Sequence, residues 1–243
     1  MAILEYRLRL LKYTHLTPTV FQLGFEMPKG LVFQGGQFVS VVVPGAAGGR
    51  DLRRAYSIAS NPENSELEFC IKYVEGGPGT TYLKNLKIGD EIKVFAPYGT
   101  FVYKSMPDRD VVFISTGTGI APFRSMLLST QLQQSKPRSI TLLLGVREES
   151  EILYDREFSD IKDLKWIKTV SRPTTTSGSN WVKGRVTDYF KDVNCSVEWL
   201  QTDFYLCGNG AMIDEIKKIL AEKGVKKESI HQEIYYKPKL GEA

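Results

Sequence analysis

A chain of 243 residues, 42% hydrophobic and 25% charged, is long enough for two domains that each bury a core. The net charge of +4 is too small to indicate a nucleic-acid partner, although it suits an acidic protein partner. No stretch approaches the roughly 20 apolar residues of a spanning helix, so we expect neither a signal peptide nor membrane insertion. The widely spaced cysteines favour a reducing cytoplasm and offer no metal pair.

The segment 1–105 predicts a small antiparallel β-barrel or sandwich. Short apolar runs alternate there with Gly, Pro and Asn turns, which is typical of antiparallel strands. One helix, TTYLKNL, is expected from about Thr80, after the turn GGPG. The predicted strands are LEYRLRLLKYTHL, TVFQLGFEM, GQFVSVVV, LRRAYSIAS, ELEFCIKYV and EIKVFAPYG.

From residue 106 to 243 the pattern changes to alternating strands and helices. Such alternation predicts a doubly wound parallel sheet, and therefore a second domain of the α/β class. The expected order is DVVFIST, helix APFRSMLLSTQLQQ, SITLLLGV, helix EILYDREFSDI, LKWIKTVS, DFYLCG, helix AMIDEIKKILAEKG and IHQEIYY.

The turn GTGIAP, from Gly117 to Pro122, lies directly between a predicted strand and a predicted helix. Glycines at that position let the backbone approach a phosphate, and a helix N-terminus offers free amides to an anion. The motif alone fits an ordinary strand-to-helix turn equally well. Its place in an α/β domain favours the phosphate site.

In a dinucleotide fold that binds NAD, the second strand ends in an acidic residue, whereas the predicted strands here are followed by arginines. The second strand ends at Arg147, and Pro122 replaces the third glycine of that fingerprint. Guanidinium groups match phosphate geometry, so Arg147, Arg172 and Arg185 predict a site for the 2′-phosphate of NADP(H). The alternative is three solvated surface arginines.

The stretch RAYS, residues 54–57, predicts a second anion site in the barrel. Alternation places Arg54 and Tyr56 on one face of a strand and Ala55 and Ser57 on the other. A cation, a flat ring and a small hydroxyl suit a flavin nucleotide. FAD is favoured over FMN because a second anchor for a diphosphate is present, at Gly76, Gly77, Gly79, Thr80 and Thr81.

Seven motifs stand in the order typical of one family, and with them nearly the whole chain resembles the ferredoxin–NADP+ reductases and their flavodoxin- and oxygenase-reductase relatives. The motifs are Arg54-Ala55-Tyr56-Ser57, Ile71-Lys72-Tyr73-Val74, Gly77-Pro78-Gly79-Thr80, Gly89-Asp90 with Pro97-Tyr98-Gly99-Thr100-Phe101, Gly117-Thr118-Gly119-Ile120-Ala121-Pro122, Cys207-Gly208-Asn209 and Glu233-Ile234-Tyr235.

The resemblance implies roles around the flavin ring. Arg54 would bind the pyrophosphate, Tyr56 would pack on one face of the ring and Ser57 would contact it near N5. Tyr235 would cover the other face, where nicotinamide must stack, and would move during turnover. Cys207 and Glu233, with Ser57, would position nicotinamide and relay a proton. Without the family pattern, Cys207 is a small buried residue, Tyr235 a strand aromatic and Glu233 a solvated charge.

The resemblance also implies which residues bind cofactors. On the flavin side they are Arg54, Ala55, Tyr56, Ser57, Ile71, Lys72, Tyr73, Gly77, Gly79, Thr80, Thr81 and Tyr235. On the nicotinamide side they are Thr116, Gly117, Thr118, Gly119, Pro122, Arg147, Ser171, Arg172, Arg185, Cys207, Gly208 and Asn209.

We therefore expect an FAD-dependent enzyme that exchanges hydride with NADP(H) and single electrons with ferredoxin or flavodoxin. Pro173 stands where many NADP-specific relatives have Glu, and a tail follows Tyr235 where many relatives end. These departures keep an NADH-dependent oxygenase reductase or free-flavin reductase as the alternative. Rivals of another class are a non-catalytic flavin-binding relay subunit and a nucleotide-binding regulator without flavin.

Overall fold

The computed structural model describes residues 2–45, 49–104, 106–175, 180–192 and 195–236. Its internal contacts divide the chain into two units, Met1–Tyr103 with Ala121–Gln134 and Lys104–Ile120 with Ser135–Ala243. The helical segment 121–134 thus groups with the first unit. A single boundary at residue 105, which lies outside the described residues, stays a prediction.

The first unit is an antiparallel barrel. Its strands β1 to β6 pair in the order β4-β3-β6-β1-β2-β5, and a bridge between Ile58 and Phe69 joins the two edges. Buried side chains alternate with more exposed ones in the middle of β1 and with half-buried ones along β3, which fills the interior with residues such as Leu8 and Val41. The predicted barrel is confirmed. Its strands are Leu4–His15, Val20–Glu26, Phe38–Val43, Leu52–Ser57, Glu66–Lys72 and Glu91–Tyr98.

Three helices belong to this unit. Helix α1, Pro78–Lys84, begins two residues before the predicted start because proline suits a first helical turn. The single helix predicted over APFRSMLLSTQLQQ is two helices, α2, Ala121–Leu128, and α3, Thr130–Gln134. They separate at Ser129, whose hydroxyl donates to Met126 O at 2.7 Å and accepts from Leu132 N at 3.3 Å. A serine hydroxyl that competes for backbone groups interrupts a helix in this way.

A buried ion pair holds α2 against the barrel. Arg124 Nη1 lies 2.6 Å from Glu68 Oε2 on β5 and also donates to Ala59 O at 2.9 Å. The other carboxylate oxygen of Glu68 accepts from Gln22 Nε2 at 2.6 Å. The side chains of Arg124 and Glu68 are each only 12% exposed, so both charges lie largely out of water and are compensated by each other.

The second unit is built on a fully parallel sheet, as predicted. Its strands β7 to β12 lie in the order β10-β9-β8-β7-β11-β12. The chain moves outward from β7 through β8 and β9, then returns to the other side of β7 as β11 and β12. The strand order therefore reverses between β7 and β11, which is where ligands bind in open α/β sheets. The strands are Asp110–Thr116, Ser139–Val146, Leu164–Val170, Val182–Lys183, Thr202–Asn209 and Ile230–Tyr236.

The helices of this unit are α4, Asp155–Ser159, α5, Val186–Lys191, and α6, Gly210–Glu222. The helix predicted over EILYDREFSDI is wrong in its first half. Glu149–Glu151 forms a 3₁₀ turn, and Tyr154 has φ 55°, a left-handed conformation through which a right-handed helix cannot continue. Helix α5 has no counterpart in the prediction. Within the described ranges, no helix combines the length and apolar character needed to cross a membrane.

Candidate functional site

Strand β4 brings Arg54 and Tyr56 together against the start of α1, as the alternation predicts. A Cβ placed on Gly79 would lie 2.7 Å from Tyr56 Oη and 2.9 Å from Arg54 Cγ. Only glycine allows this approach without displacing one of those side chains. On the same strand Ala55 is exposed, whereas Ser57 is buried.

The charge of Arg54 is available to an anion. Its Nη1 donates to Arg53 O at 2.8 Å, and within the described ranges no carboxylate forms an ion pair with it. Burial raises the pKa of Tyr56 to about 12, although Arg54 acts in the opposite direction. The phenol is therefore neutral, and its ring stacks on Phe69 with centroids 6.5 Å apart.

The turn before α1 has open space at one residue and internal hydrogen bonds at another. Gly76 has φ 69°, and a Cβ built there meets nothing within 4 Å. Thr80 Oγ1 accepts from Val74 N at 3.2 Å and lies 3.1 Å from Val74 O, so this hydroxyl stabilises the turn. Pro78 has no N–H and Thr81 N donates to Gly77 O, so the first-turn donors without a partner inside the helix are Gly79 N and Thr80 N.

The three residues Ile71, Lys72 and Tyr73, predicted to contact flavin, differ in how accessible their side chains are. Ile71 is 2% exposed and points into the barrel, so only its backbone can reach a ligand. Lys72 is exposed at the end of β5. Tyr73 is half-buried, with Lys84 Nζ 3.9 Å above its ring.

A groove beside this turn was not predicted from the sequence. Its volume is about 530 Å³, within the range of about 300–1,000 Å³ that is usual for ligand pockets. It lies between the loop after β3 and the start of α1, and the Gly-rich run PGAAGGR was the signal that could have indicated it. Residues 46–48 of that loop lie outside the described residues. The lining residues are Val43, Pro44, Gly45, Gly49, Arg50, Leu52, Gly76, Pro78, Thr81 and Tyr82.

In the second unit, the GTG turn packs against the end of β11. Gly117 has φ 51° and open space where a Cβ would stand. A Cβ on Gly119 would collide with Cys207 O and would lie 2.9 Å from Gly208 Cα. Thr118 is half-exposed between them, and Pro122 is buried in the first turn of α2.

The Cys-Gly-Asn motif completes the same edge of the sheet. Gly208 has φ 124°, and a Cβ there would lie 2.5 Å from Thr116 Oγ1. That hydroxyl accepts from Asn209 N at 3.0 Å, and Asn209 Oδ1 accepts from Ala211 N at 2.8 Å to cap α6. Both motifs therefore lie at the carboxyl ends of β7 and β11, where the strand order reverses.

Cys207, Glu233 and Tyr235 come together on β11 and β12. Cys207 pairs with Glu233 in the parallel register, and a register shift follows between Gly208 and Asn209. Burial raises the pKa of the Cys207 thiol well above its usual value, Glu233 raises it further, and a hydrogen bond with Tyr235 acts in the opposite direction. Cys207 is inaccessible, whereas Tyr235 is 39% exposed.

Two of the three predicted arginines lie on adjoining loops. Arg172 N donates to Arg147 O at 2.7 Å, and Ser171 N donates to Val146 O at 3.1 Å. Arg185 stands just before α5, where its N donates to Asp188 Oδ2 at 2.8 Å. All three arginine side chains are exposed.

The comparisons with known proteins identify two domains in the chain. Residues 7–103 match the oxidoreductase FAD-binding domain, and residues 113–218 match the oxidoreductase NAD-binding domain. The chain is 32% identical over 238 residues to the ferredoxin–NADP reductase of Azotobacter vinelandii, and the alignment covers 90% of each chain. The chain belongs to the ferredoxin–NADP reductase family. It is an oxidoreductase with an FAD-binding barrel and a nicotinamide-nucleotide-binding α/β domain.

Members of this family serve different reactions. The chain is also 31% identical over 240 residues to the phenol hydroxylase P5 protein of Acinetobacter pittii, with 94% of this chain aligned but only 65% of that relative's length. A ferredoxin NADP+ reductase from Neisseria gonorrhoeae, solved with FAD and NADP, has the same fold, with a TM-score of 0.85, 21% identity and coverage of 96% of this chain and 99% of that one.

The residues present fit both groups that the family binds. Within the described ranges Arg54 has no carboxylate partner, and the missing Cβ of Gly79 lets Arg54 and Tyr56 lie directly against the start of α1. Gly117 leaves open space at the end of β7 for a phosphate to approach. Thr80 is the predicted flavin residue whose side chain serves the turn itself.

Proposed function

We propose that this enzyme exchanges hydride with NADP(H) and passes single electrons to ferredoxin or flavodoxin. The adjoining Arg147 and Arg172 loops carry the coenzyme part of this proposal, because a joint guanidinium site suits a 2′-phosphate. When bound, FAD supplies the conversion between a two-electron and a one-electron donor.

Arg54, Tyr56 and the first turn of α1 would hold the flavin. The guanidinium would neutralise the diphosphate together with the amides of that turn, and Tyr56 would offer a flat neutral face to the ring. The groove of about 530 Å³ adjoins the same turn and would accommodate the adenosine end. Ser57 would contribute one hydrogen bond to the ring.

Cys207, Glu233 and Tyr235 would order the nicotinamide. The thiol is buried, and its raised pKa keeps it neutral, so it would offer a small uncharged surface only after Tyr235 has moved. Glu233 would hold or accept a proton beside it. Tyr235 is exposed enough to move aside and make room for the nicotinamide ring. The tail, residues 237–243, lies outside the described residues.

A second candidate is the NADH-dependent reductase component of an oxygenase, which the similarity to the P5 protein and the presence of Pro173 favour. A relay subunit that never reacts with a coenzyme is the rival of another class. Coenzyme-driven reduction separates all three.

The test is anaerobic mixing of the holoenzyme with NADPH or NADH while the visible flavin absorbance is followed. We expect faster bleaching by NADPH. Arg172→Ala should raise the KM for NADPH about tenfold, as expected for the loss of a charged phosphate contact, and leave that for NADH unchanged. Arg156→Ala, an exposed arginine on α4, is the control.

Preference for NADH would favour the oxygenase-type reductase. Bleaching by neither coenzyme would favour the relay subunit, and a colourless protein would favour the nucleotide-binding regulator. Reduction of added ferredoxin and flavodoxin, compared side by side, then identifies the electron partner.

A further inference from the structure

One carboxylate joins the loop after β8 to the loop after β9. Glu149 Oε1 accepts from Thr174 Oγ1 and Thr175 Oγ1, each at 2.7 Å, and from Thr175 N at 2.9 Å. Thr174 N donates to Oε2 at 3.0 Å and also to Oε1 at 3.2 Å, so the carboxylate accepts five hydrogen bonds. We call these three residues the Glu149 bridge. It connects two segments that are 25 residues apart in the chain.

The Glu149 bridge lies next to Arg172. On one side of this arginine, its own backbone N donates to Arg147 O at 2.7 Å. On the other side, Pro173 has a restricted φ and no N–H, and the bridge holds the next two residues. The backbone of the loop that carries Arg172 is therefore fixed at both ends.

The bridge keeps its charge across the pH range of enzyme assays. Hydrogen bonds from its own backbone N–H and from Thr174 and Thr175 lower the pKa of Glu149 to about 2. A carboxylate near a phosphate site would oppose phosphate binding if it acted through charge alone. A carboxylate that orders an arginine loop would favour it. Removing the Glu149 carboxylate would therefore strengthen phosphate binding in the first case and weaken it in the second.

We propose that Glu149 is a specificity-positioning residue that holds the Arg172 loop beside the Arg147 loop, so that both guanidinium groups meet one 2′-phosphate. The inference rests on the proposed preference for NADPH and adds the residue that organises the site. Ordering a binding loop before the ligand arrives reduces the entropy lost on binding, and only the ligand that both arginines contact benefits.

The experiment measures binding of 2′-phospho-AMP and of 5′-AMP to the holoenzyme by calorimetry, without turnover. Glu149→Ala should weaken 2′-phospho-AMP about fivefold, within the usual range for a positioning residue, and leave 5′-AMP unchanged. Glu149→Gln retains Oε1, the atom that accepts four of the five hydrogen bonds. This variant should therefore lose less affinity for 2′-phospho-AMP than Glu149→Ala. Glu148→Gln removes the neighbouring charge without touching the bridge and should change neither ligand.

Tighter 2′-phospho-AMP binding in both Glu149 variants would overturn the proposal, because the carboxylate would then act by repulsion. Thr175→Val, which removes one hydroxyl, should weaken 2′-phospho-AMP less than Glu149→Ala and provides the same test if that variant folds poorly. Equal binding by Thr175→Val and the original chain, with Glu149→Ala unfolded, would also overturn it.

Arg172→Ala separates this inference from the function on which it rests. If Arg172→Ala weakens 2′-phospho-AMP and Glu149→Ala does not, the bridge has no role and the coenzyme preference stands. If Arg172→Ala changes nothing, both proposals fail. In the Arg172→Ala background, Glu149→Ala should cause no further loss. A full additional fivefold loss would show that Glu149 acts independently of Arg172.

Discussion

The chain contains two glycine turns for which we propose phosphate sites, and the atoms that surround the two turns differ. In the barrel, the closest atoms to a Cβ on Gly79 belong to the side chains of Arg54 and Tyr56. In the α/β unit, the closest atoms to a Cβ on Gly119 belong to the backbone of Cys207 and Gly208. Similar short motifs therefore meet different kinds of neighbour.

Because of this difference, we expect a glycine to be required for ligand binding at position 79 and for folding at position 119. Side chains can move when a methyl group is added beside them, whereas the backbone of a central parallel strand cannot move without disturbing its ladder. Gly79 is needed so that Arg54 and Tyr56 take their places. Gly119 is needed so that β7 and its following turn can pack against β11.

The largest effect is expected from Gly119→Ala. Because the new Cβ meets the backbone of β11, the free energy of unfolding should fall by about 3 kcal/mol, measured from urea unfolding. Gly117→Ala is the matched control in the same turn. A Cβ at this position meets no atom within 4 Å. Only the φ of 51° disfavours alanine, which should lower the free energy of unfolding by about 1 kcal/mol. Equal losses in the two variants would remove the distinction between the turns.

Gly79→Ala should leave folding within about 1 kcal/mol of the original chain, because alanine is a better helix former than glycine. Flavin affinity should fall about tenfold, since about 1.4 kcal/mol is a modest cost for displacing an overpacked side chain. Flavin retained after dialysis measures this. Adding Tyr56→Phe removes the atom 2.7 Å from the new Cβ and should restore part of the affinity. If Gly79→Ala lost much stability but kept a normal flavin content, Gly79 would be required for folding and not for binding.

The smallest effect concerns Cys207, whose backbone forms part of the wall of the second turn. Its pKa is raised above 9.0, so the neutral thiol contributes stability fully below about pH 9, and this contribution is lost as the pH rises through the higher folded value. The difference in unfolding free energy between the original chain and Cys207→Ala should be constant from about pH 6 to pH 8 and shrink above pH 9. A difference that grows above pH 9 would contradict the raised pKa.

Local sequence patterns correctly predicted the structural features that depend on residues close together in the chain. Period-two alternation correctly placed Arg54 and Tyr56 on one face, and the strand–turn–helix order correctly placed GTGIAP at a strand end. The position of Ser129 between two helices was not recognised, because apolar periodicity alone does not reveal that a hydroxyl competes for a backbone carbonyl.

Contacts between distant segments could not be predicted in this way. Glu149 meets Thr174 and Thr175 only because β8 and β9 are neighbours in the sheet, and Thr80 turns toward Val74 rather than outward. The groove before α1 also depends on a loop and a helix that meet through the barrel. The Gly-rich run PGAAGGR could have indicated a loop at the groove, but the sequence alone does not show which distant segment a loop or side chain meets.

The buried pair between Arg124 and Glu68 constrains how this chain can evolve. Replacing either partner alone would leave an uncompensated charge in a place with little water, which typically costs about 3–5 kcal/mol. Replacing both with apolar residues of similar volume avoids that cost. Positions 68 and 124 should therefore change together among descendants of this sequence, and α2 should be inherited with β5 as one unit when domains are recombined.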